Sequence, residues 1–492
     1  MKIVIIGSGI GGLSAGIRLA NAGHEVHIFE ANEHPGGKIA QIQDNGYRFD
    51  IGPTLVTLPH LINELFLMAG KNPKDYIDIV KIESPFTYFF EDKSIIHAYH
   101  DIEKFAEEVE NAGELSYRLK RYLHNAQQKY DLTASIFLEK SIHQWKNLLT
   151  RKSLYALSKF WKLHLTKTMH GVNKKYFTSD KLIQLFDRYA TYNGSDPNKA
   201  PGMLTMISHL EHNLGAYHIK NGVYSLSQQL FNLASIIGVN FYFNHEVREI
   251  MVSDGQAKGI AVKNDRDEEK TISADLVISN ADVYKTYQDL LPDRKIPKKL
   301  DKQELSNSAL IFCWGMKKKF PQLSLHNVFF NKDYQDEFNS IFKKREASHA
   351  PTVYVYISSK EEKNDAPEYG ENWHIMINVP YDNQHDWAAI KEETRRFIIR
   401  RISKAIYDDI EPYIERERIL DPVDIERNTR SYKGALYGPS SNSSFSAFLR
   451  HPNFSKTIKG LYFCGGSVHP GGGIPISILS GKIVADLIKD TN

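Results

Sequence analysis

Gly7, Gly9 and Gly12 stand in a G-x-G-x-x-G spacing, and Glu30 follows 18 residues after the last of them. Residues of these types at these distances can hold a dinucleotide. The first glycine permits a tight turn, the second lets backbone amides approach a pyrophosphate, and the third lets a helix pack closely on a strand. Amides at the helix N-terminus, with the helix dipole, hold phosphates, and an acid at the end of the next strand hydrogen-bonds ribose hydroxyls. A second cluster lies far along the chain, where Gly465, Gly466, Gly471, Gly472 and Gly473 put five glycines within nine residues. A plain turn uses one or two. This density points to close approach of backbone to a ligand, so the two ends of the chain are expected to enclose one cofactor.

The elements around these glycines suit that chemistry. Ile3 to Ile6 predicts a buried parallel strand, a helix of small and apolar residues follows Gly9, and Val26 to Phe29 predicts the next strand, ending at Glu30. Leu461 to Phe463 leads into the second cluster, and a helix is expected from about Ile476 to Ile488. Between the ends, strands are expected at Phe86–Phe90, Ile95–His100, Val239–Phe243, Val247–Val252, Asp275–Asn280, Ala309–Met316, Thr352–Ser358 and His374–Val379. Asp101 to about Lys181 reads as helical, Asp187 to Pro201 as a loop, and Asp386 to Ile406 as a long amphipathic helix.

Composition excludes several classes. The 492 residues suffice for two or three domains. Lys and Arg number 62 against 59 Asp and Glu, a balance that gives no reason to expect nucleic acid. No run of 18 apolar residues predicts a membrane span, and the first apolar run continues into a strand-helix pattern rather than a leader peptide. Cys313 and Cys464 lie in apolar runs and read as buried thiols of a reducing cytoplasm, with no disulfide framework and no zinc spacing. The 20 histidines are scattered, and no Ser/His/Asp arrangement or metal set emerges, so no catalytic residue is assigned and no metal is expected. His469 reads as a hydrogen-bonded structural residue, while Asp187 and Arg188, at an apolar helix end, could point into a pocket but read first as a helix-capping ion pair.

After Glu30 comes a paired glycine with a cation, Gly36-Gly37-Lys38, and then Asp50-Ile51-Gly52-Pro53-Thr54. This pattern resembles the second signature of the FAD-dependent amine oxidase and phytoene desaturase superfamily, whose loop carries the chain over the pyrophosphate toward the flavin. YNGSDPNKAP (192–201), IKNGVYSLSQQL (219–230) and GGSVHPGGGIP (465–475) extend the likeness along essentially the whole chain, which resembles the bacterial carotenoid desaturases. The glycine run and GALYG at 434–438 are more similar to the 1-hydroxycarotenoid 3,4-desaturase branch than to phytoene desaturases, although diapocarotenoid-modifying relatives share parts of both.

The resemblance implies FAD as cofactor. Its contacts would fall on Gly7, Gly9, Gly12, Glu30, Gly37, Lys38, Thr54, Leu55, Val247, Asn280, Leu436, Gly466, Gly473 and Ile474, with the Val247 backbone against adenine. It also implies an α/β fold: a discontinuous Rossmann-like FAD domain (1–80, 215–300, 430–492), an α+β substrate-binding sheet domain (81–100, 301–429) and a helical, membrane-facing lobe (101–214). The implied reaction removes two hydrogens across a C–C single bond beside a conjugated polyene, hydride going to flavin N5 and a proton leaving the adjacent carbon. Electrons then pass to oxygen or a membrane quinone.

A carotenoid must be collected from a bilayer. Lys140 to Lys175 holds nine Lys/Arg and no Asp or Glu, with Leu154, Leu157, Trp161 and Leu165 at spacings that share one helical face. Such a stretch suits an interfacial helix on anionic lipid, and the chain is expected to sit in the cytoplasm against the inner face of the cytoplasmic membrane. The same stripe could instead pack on the protein's own core. Two other functions fit this kind of fold: a flavin oxidase of amines or porphyrinogens, and a lipid-carrying protein without flavin, of the Rab escort and GDP-dissociation-inhibitor kind.

Overall fold

The computed structural model describes residues 1–381 and 384–490. Strand β1 (Lys2–Ile6), helix α1 (Ile10–Asn21) and strand β2 (Glu25–Phe29) form a right-handed unit at the centre of a five-stranded parallel sheet. Across that sheet the order is Leu461–Phe463, Leu276–Ser279, β1, β2, Asn240–Tyr242, so strands from three distant stretches of chain meet there. β1 is apolar at every position after Lys2 because both its faces are covered. Ile3 and Ile5 pack against α1 and the helices Val223–Ile236 and Ile474–Lys489, while Val4 and Ile6 pack toward a three-stranded antiparallel sheet (His245–Ser253, Gln256–Asn264, Glu269–Ser273). A Cβ on Gly481 would stand 2.6 Å from the Gly11 carbonyl, so a glycine is what lets helix Ile474–Lys489 lie directly on α1.

A second sheet has seven strands in the order Ile414–Leu420, Ser308–Met316, Glu371–Val379, Val353–Tyr356, His326–Phe329, Phe86–Phe89, Ile95–Ala98. All its pairings are antiparallel except Phe86–Phe89 with His326–Phe329. One face, with Phe312, Trp314, Val355, Trp373 and Ile375, packs on helix Trp387–Ile406. The alternate residues, Ala309, Ile311, Tyr354, Met376 and Asn378, face a cavity. Helices from Ile102 to Tyr176 and Asp180–Asp187 cover the strands at 86–98 through Phe105, Tyr122, Phe177 and Phe186.

The strand pairs not expected from the sequence include the hairpins Ala40–Asp44/Tyr47–Ile51 and His245–Ser253/Gln256–Asn264, the pairing of Ile79–Lys81 with Tyr217–Ile219, and the edge strand Ile414–Leu420. Both hairpins turn through residues with positive φ, Asn45-Gly46 and Asp254-Gly255. Those dipeptides are the two-residue turns that match the twist of paired strands. The strand His326–Phe329 was also missed, being too short and too polar at its start to show alternation.

The basic stretch is not one helix. It breaks into Trp145–Leu148, Arg151–Ser158 and a 3₁₀ turn Phe160–Leu163 that ends at His164 with φ +50°. Leu154, Trp161 and Leu165 therefore do not share a single helical face, and the side chain of Leu157 lies outside the described residues. Leu154 and Trp161 do not pack on the core either: they are 59% and 58% exposed, and Trp145, Leu149, Tyr155 and Phe160 are exposed as well, while Ala156 and Leu163 of the same stretch are buried. Among the described residues no helix is long and apolar enough to cross a membrane.

Candidate cofactor and substrate site

One cavity of about 700 Å³ runs from the end of β1 to the face of the seven-stranded sheet. Thirteen of the fourteen residues that the sequence nominates for the cofactor line it: Gly7, Gly9, Glu30, Gly37, Lys38, Thr54, Leu55, Val247, Asn280, Leu436, Gly466, Gly473 and Ile474. Gly12 is the exception and lies behind the wall. A Cβ there would fall 2.3 Å from the Gly7 carbonyl, so its contribution is the close approach of α1 to β1 rather than contact with a ligand.

The turn between β1 and α1 has Gly7 at φ +92°, and Gly9 caps the helix in extended conformation. Glu30 is buried at the end of β2. Its Oε2 accepts from the Ser8 amide and hydroxyl, both at 2.8 Å, and its Oε1 accepts from the Asn32 amide at 3.0 Å. Ser8, which the sequence reading passed over, thus fixes the acid beside the glycine turn. Asn280 donates to the Gly7 carbonyl at 3.3 Å and wedges between the two glycine segments.

The second signature is held by its own contacts. The Lys38 ammonium donates to the Leu436 carbonyl, joining the Gly36-Gly37 loop to the GALYG segment. Burial lowers the pKa of Lys38 and raises that of Asp282 nearby, whose Oδ2 is buried without a hydrogen-bond partner. Asp50 does not face the cavity. It accepts from the amides of Val223 and Tyr224 at 2.8 and 3.3 Å and so caps helix Val223–Ile236. Val247 sits where a bulge inserts Arg248 into the ladder, which frees local backbone toward the cavity.

These residues fit FAD. At Gly473, with φ +108°, an added Cβ would meet no protein atom within 4 Å, so the backbone there fronts open space at the start of helix Ile474–Lys489. The buried, unpartnered carboxylate oxygen of Asp282 and the cavity-lining glycines supply the polar and small surfaces that such a cofactor needs. His469 has the structural role expected: its ring Nε2 lies 2.9 Å from the Lys140 carbonyl, and burial lowers its pKa to about 4. Cys464 and Cys313 are both buried, and burial raises both thiol pKa values, that of Cys313 to about 12.

The other end of the cavity is built from side chains. Phe86, Met203, Leu204, Ile207, Leu210 and Tyr354 give it apolar and aromatic walls. Thr54 reaches across, its hydroxyl 2.6 Å from that of Tyr354, and Tyr354 also meets His326 Nδ1 at 2.7 Å. Asp187 and Arg188 do not form the expected ion pair. Asp187 meets His170 Nδ1 at 2.6 Å and accepts from Asn173 at 2.7 Å, while Arg188 turns the opposite way into the cavity. The two residues end one helix and begin a 3₁₀ turn, Arg188–Asn193, which sends adjacent side chains to opposite sides.

Three comparisons with known proteins bear on this site. The family model described as flavin containing amine oxidoreductase matches residues 10–489. The chain is 46% identical, over all of its length and 99% of the relative's, to a 1-hydroxycarotenoid 3,4-desaturase of Flavobacterium sp. (strain P99-3). It is 30% identical to a 4,4'-diapolycopene oxygenase of Methylomonas sp., covering 99% of this chain and 98% of that one. Among solved structures, an oxidoreductase from Methanosarcina mazei superimposes with a TM-score of 0.63 at 15% identity, over 99% of this chain and 100% of that one, a likeness of fold.

Proposed function

Because this chain belongs to the flavin-containing amine oxidoreductase family and, within it, to the carotenoid desaturases, we propose that its reaction is the 3,4-desaturation of a 1-hydroxycarotenoid. It is an FAD-dependent oxidoreductase. The observation that carries the finer reading is the 46% identity to the Flavobacterium enzyme across the full length of both chains.

The flavin, when bound, supplies the two-electron acceptor for hydride leaving a carbon beside the polyene. The chain's own residues do the rest. The glycines at 7, 9, 37, 466 and 473 leave room for the cofactor, and Glu30 and the Val247 backbone hold its adenosine end. Lys38, tied to Leu436, and Thr54, tied to Tyr354, link the cofactor end of the cavity to the sheet that walls the substrate. Apolar walls exclude water from the oxidised carbon and align the polyene. The proposed final electron acceptor is oxygen or a quinone of the same bilayer. On this reading the five-stranded sheet with its helices is the FAD domain (1–80, 215–300, 430–492), and 81–100 with 301–429 supplies the substrate sheet.

Segment 140–175 is the proposed membrane contact of the helical lobe, on the inner face of the cytoplasmic membrane. Its support is the exposed Trp145, Leu149, Leu154, Phe160 and Trp161 among acid-free basic sequence. The test is incubation of the flavin-loaded protein, in liposomes, with a 1-hydroxylated lycopene-type polyene, lycopene and phytoene. A red shift confined to the hydroxylated substrate supports the reading. Conversion of phytoene with no change in the others identifies a phytoene desaturase instead.

A further inference from the structure

Among the described residues Arg188 is the cation lining the sheet end of the cavity, beside the apolar Phe86, Leu204 and Ile207, and it is only 7% exposed. Its Nη2 donates to the Tyr88 hydroxyl at 2.9 Å and the Tyr192 hydroxyl at 3.4 Å, and stands 3.8 Å from Glu211 Oε1. Glu211, fully buried, accepts from Tyr189 and Tyr192, each at 2.6 Å. The guanidinium lies 4.3 Å from the ring centre of Phe86, which also packs beside Tyr354 at 6.3 Å. Burial works against the charge, but the tyrosines and Glu211 around it more than offset this and keep the group protonated.

Its Nε has no hydrogen-bond acceptor among the described residues. A buried donor without a partner is costly, and it is costliest when the group is charged. Arg188 lines the cavity with its Nη2 already turned to Tyr88 and Tyr192, so a hydrocarbon end-group packed against the guanidinium offers it no further acceptor. An end-group oxygen would supply one. Sites built around such a donor reject the analogue that lacks the oxygen far more strongly than apolar pockets reject an extra group.

We propose that Arg188, braced by Tyr88, Tyr192 and Glu211, is the specificity-determining group that receives the hydroxyl oxygen of the substrate's end-group. This rests on the desaturase reading above and deepens it. Thr54, among the residues assigned to the cofactor, connects to this corner through Tyr354 and then Phe86, so the proposed oxygen-binding group shares a continuous wall with the cofactor end of the cavity.

The test compares the flavin-loaded parent with Arg188→Met on two polyenes of equal length, with and without a terminal tertiary hydroxyl. Removing Arg188 leaves Glu211 its two tyrosine donors, so the fold is expected to hold. Should the Met variant fail to retain flavin, Arg188→Gln takes its place. The parent should favour the hydroxylated polyene in kcat/KM, and the variant should lose that preference by about tenfold or more, mostly through KM. The dissociation constant of the hydroxylated polyene, read from perturbation of the flavin absorption band, should rise by a similar factor. A parent that oxidises both polyenes equally well, or a variant in which both substrates suffer alike, overturns the inference and leaves the desaturase reading standing. A parent that retains flavin but oxidises neither polyene overturns both.

Discussion

The two ends of the cavity recognise their ligands by opposite means. At the end of β1 the wall is backbone: glycines at 7, 9, 37, 466 and 473, with side chains such as Glu30 held by Ser8 at the edge. At the sheet end the wall is side chain: Arg188, Tyr192 and Glu211 from one stretch, Phe86, Tyr354 and Met376 from others. A backbone site needs residues of a fixed type at fixed spacing, because the turn itself is the recognition element. A side-chain site needs only that groups from many strands converge, and several sequences can satisfy that. The first kind is expected to be intolerant of substitution, and the second to be where specificity is tuned.

The largest effect is expected at Gly12, where the backbone end depends on helix–strand contact. Gly12→Val drives a side chain into the Gly7 carbonyl, and overpacking of this kind costs about 1–3 kcal/mol or more. The expected outcome is a lower melting temperature and protein purified without flavin; a variant with parental melting and flavin content would show that α1 is free to shift. Gly473→Leu comes next. It places a side chain in the open space of the cavity and strains a residue at φ +108°. Flavin content should fall steeply while circular dichroism stays native, and full flavin with activity would reduce the second glycine cluster to a turn.

Glu30→Ala tests the polar edge of the same end. Hydrogen bonds to a charged group contribute about 1.5–3 kcal/mol, so FAD affinity should fall at least tenfold in a titration of the apoprotein. Unchanged affinity would mean that Glu30 serves only to hold Ser8. The smallest effect on either end is expected from Leu154→Glu with Trp161→Glu, since both residues are exposed and remote from the backbone wall. Flavin should remain bound, whereas sedimentation with anionic liposomes should drop, and raised salt should weaken the parent's binding in the same way. A double variant that pellets as the parent does moves the membrane contact elsewhere, and one that loses flavin assigns these residues to the fold.

The same contrast explains what was legible in the sequence. The dinucleotide unit could be read because its glycines, strands and acid are consecutive in the chain and each has one physical reason to be there. The long helix at 387–406 could be read from its amphipathic period. The two hairpins were also written, in the turn dipeptides Asn45-Gly46 and Asp254-Gly255, which a reading led by the cofactor motifs passes over. Arg188 was harder. Next to Asp187 it suggests a local ion pair, and only tertiary structure shows that Tyr88 and Glu211 meet it from segments 100 residues before and 23 residues after. The nearest local hint was Arg188 followed closely by Tyr189 and Tyr192, in a stretch the sequence presents as a loop. The basic stretch misled in the other direction: its spacing suits one helix, but the left-handed turn at His164 and the 3₁₀ segment before it break the period.

The central claim is that one cavity brings a flavin and a hydroxylated polyene together for a two-electron transfer. It is tested most directly by mixing the flavin-loaded protein anaerobically with the 1-hydroxylated polyene and recording one visible spectrum over time. The account predicts that the oxidised flavin band disappears while the polyene bands move to longer wavelength, with one polyene converted per flavin bleached. A flavin band that persists beside an unchanged polyene spectrum, or that bleaches instead with a primary amine, would contradict it.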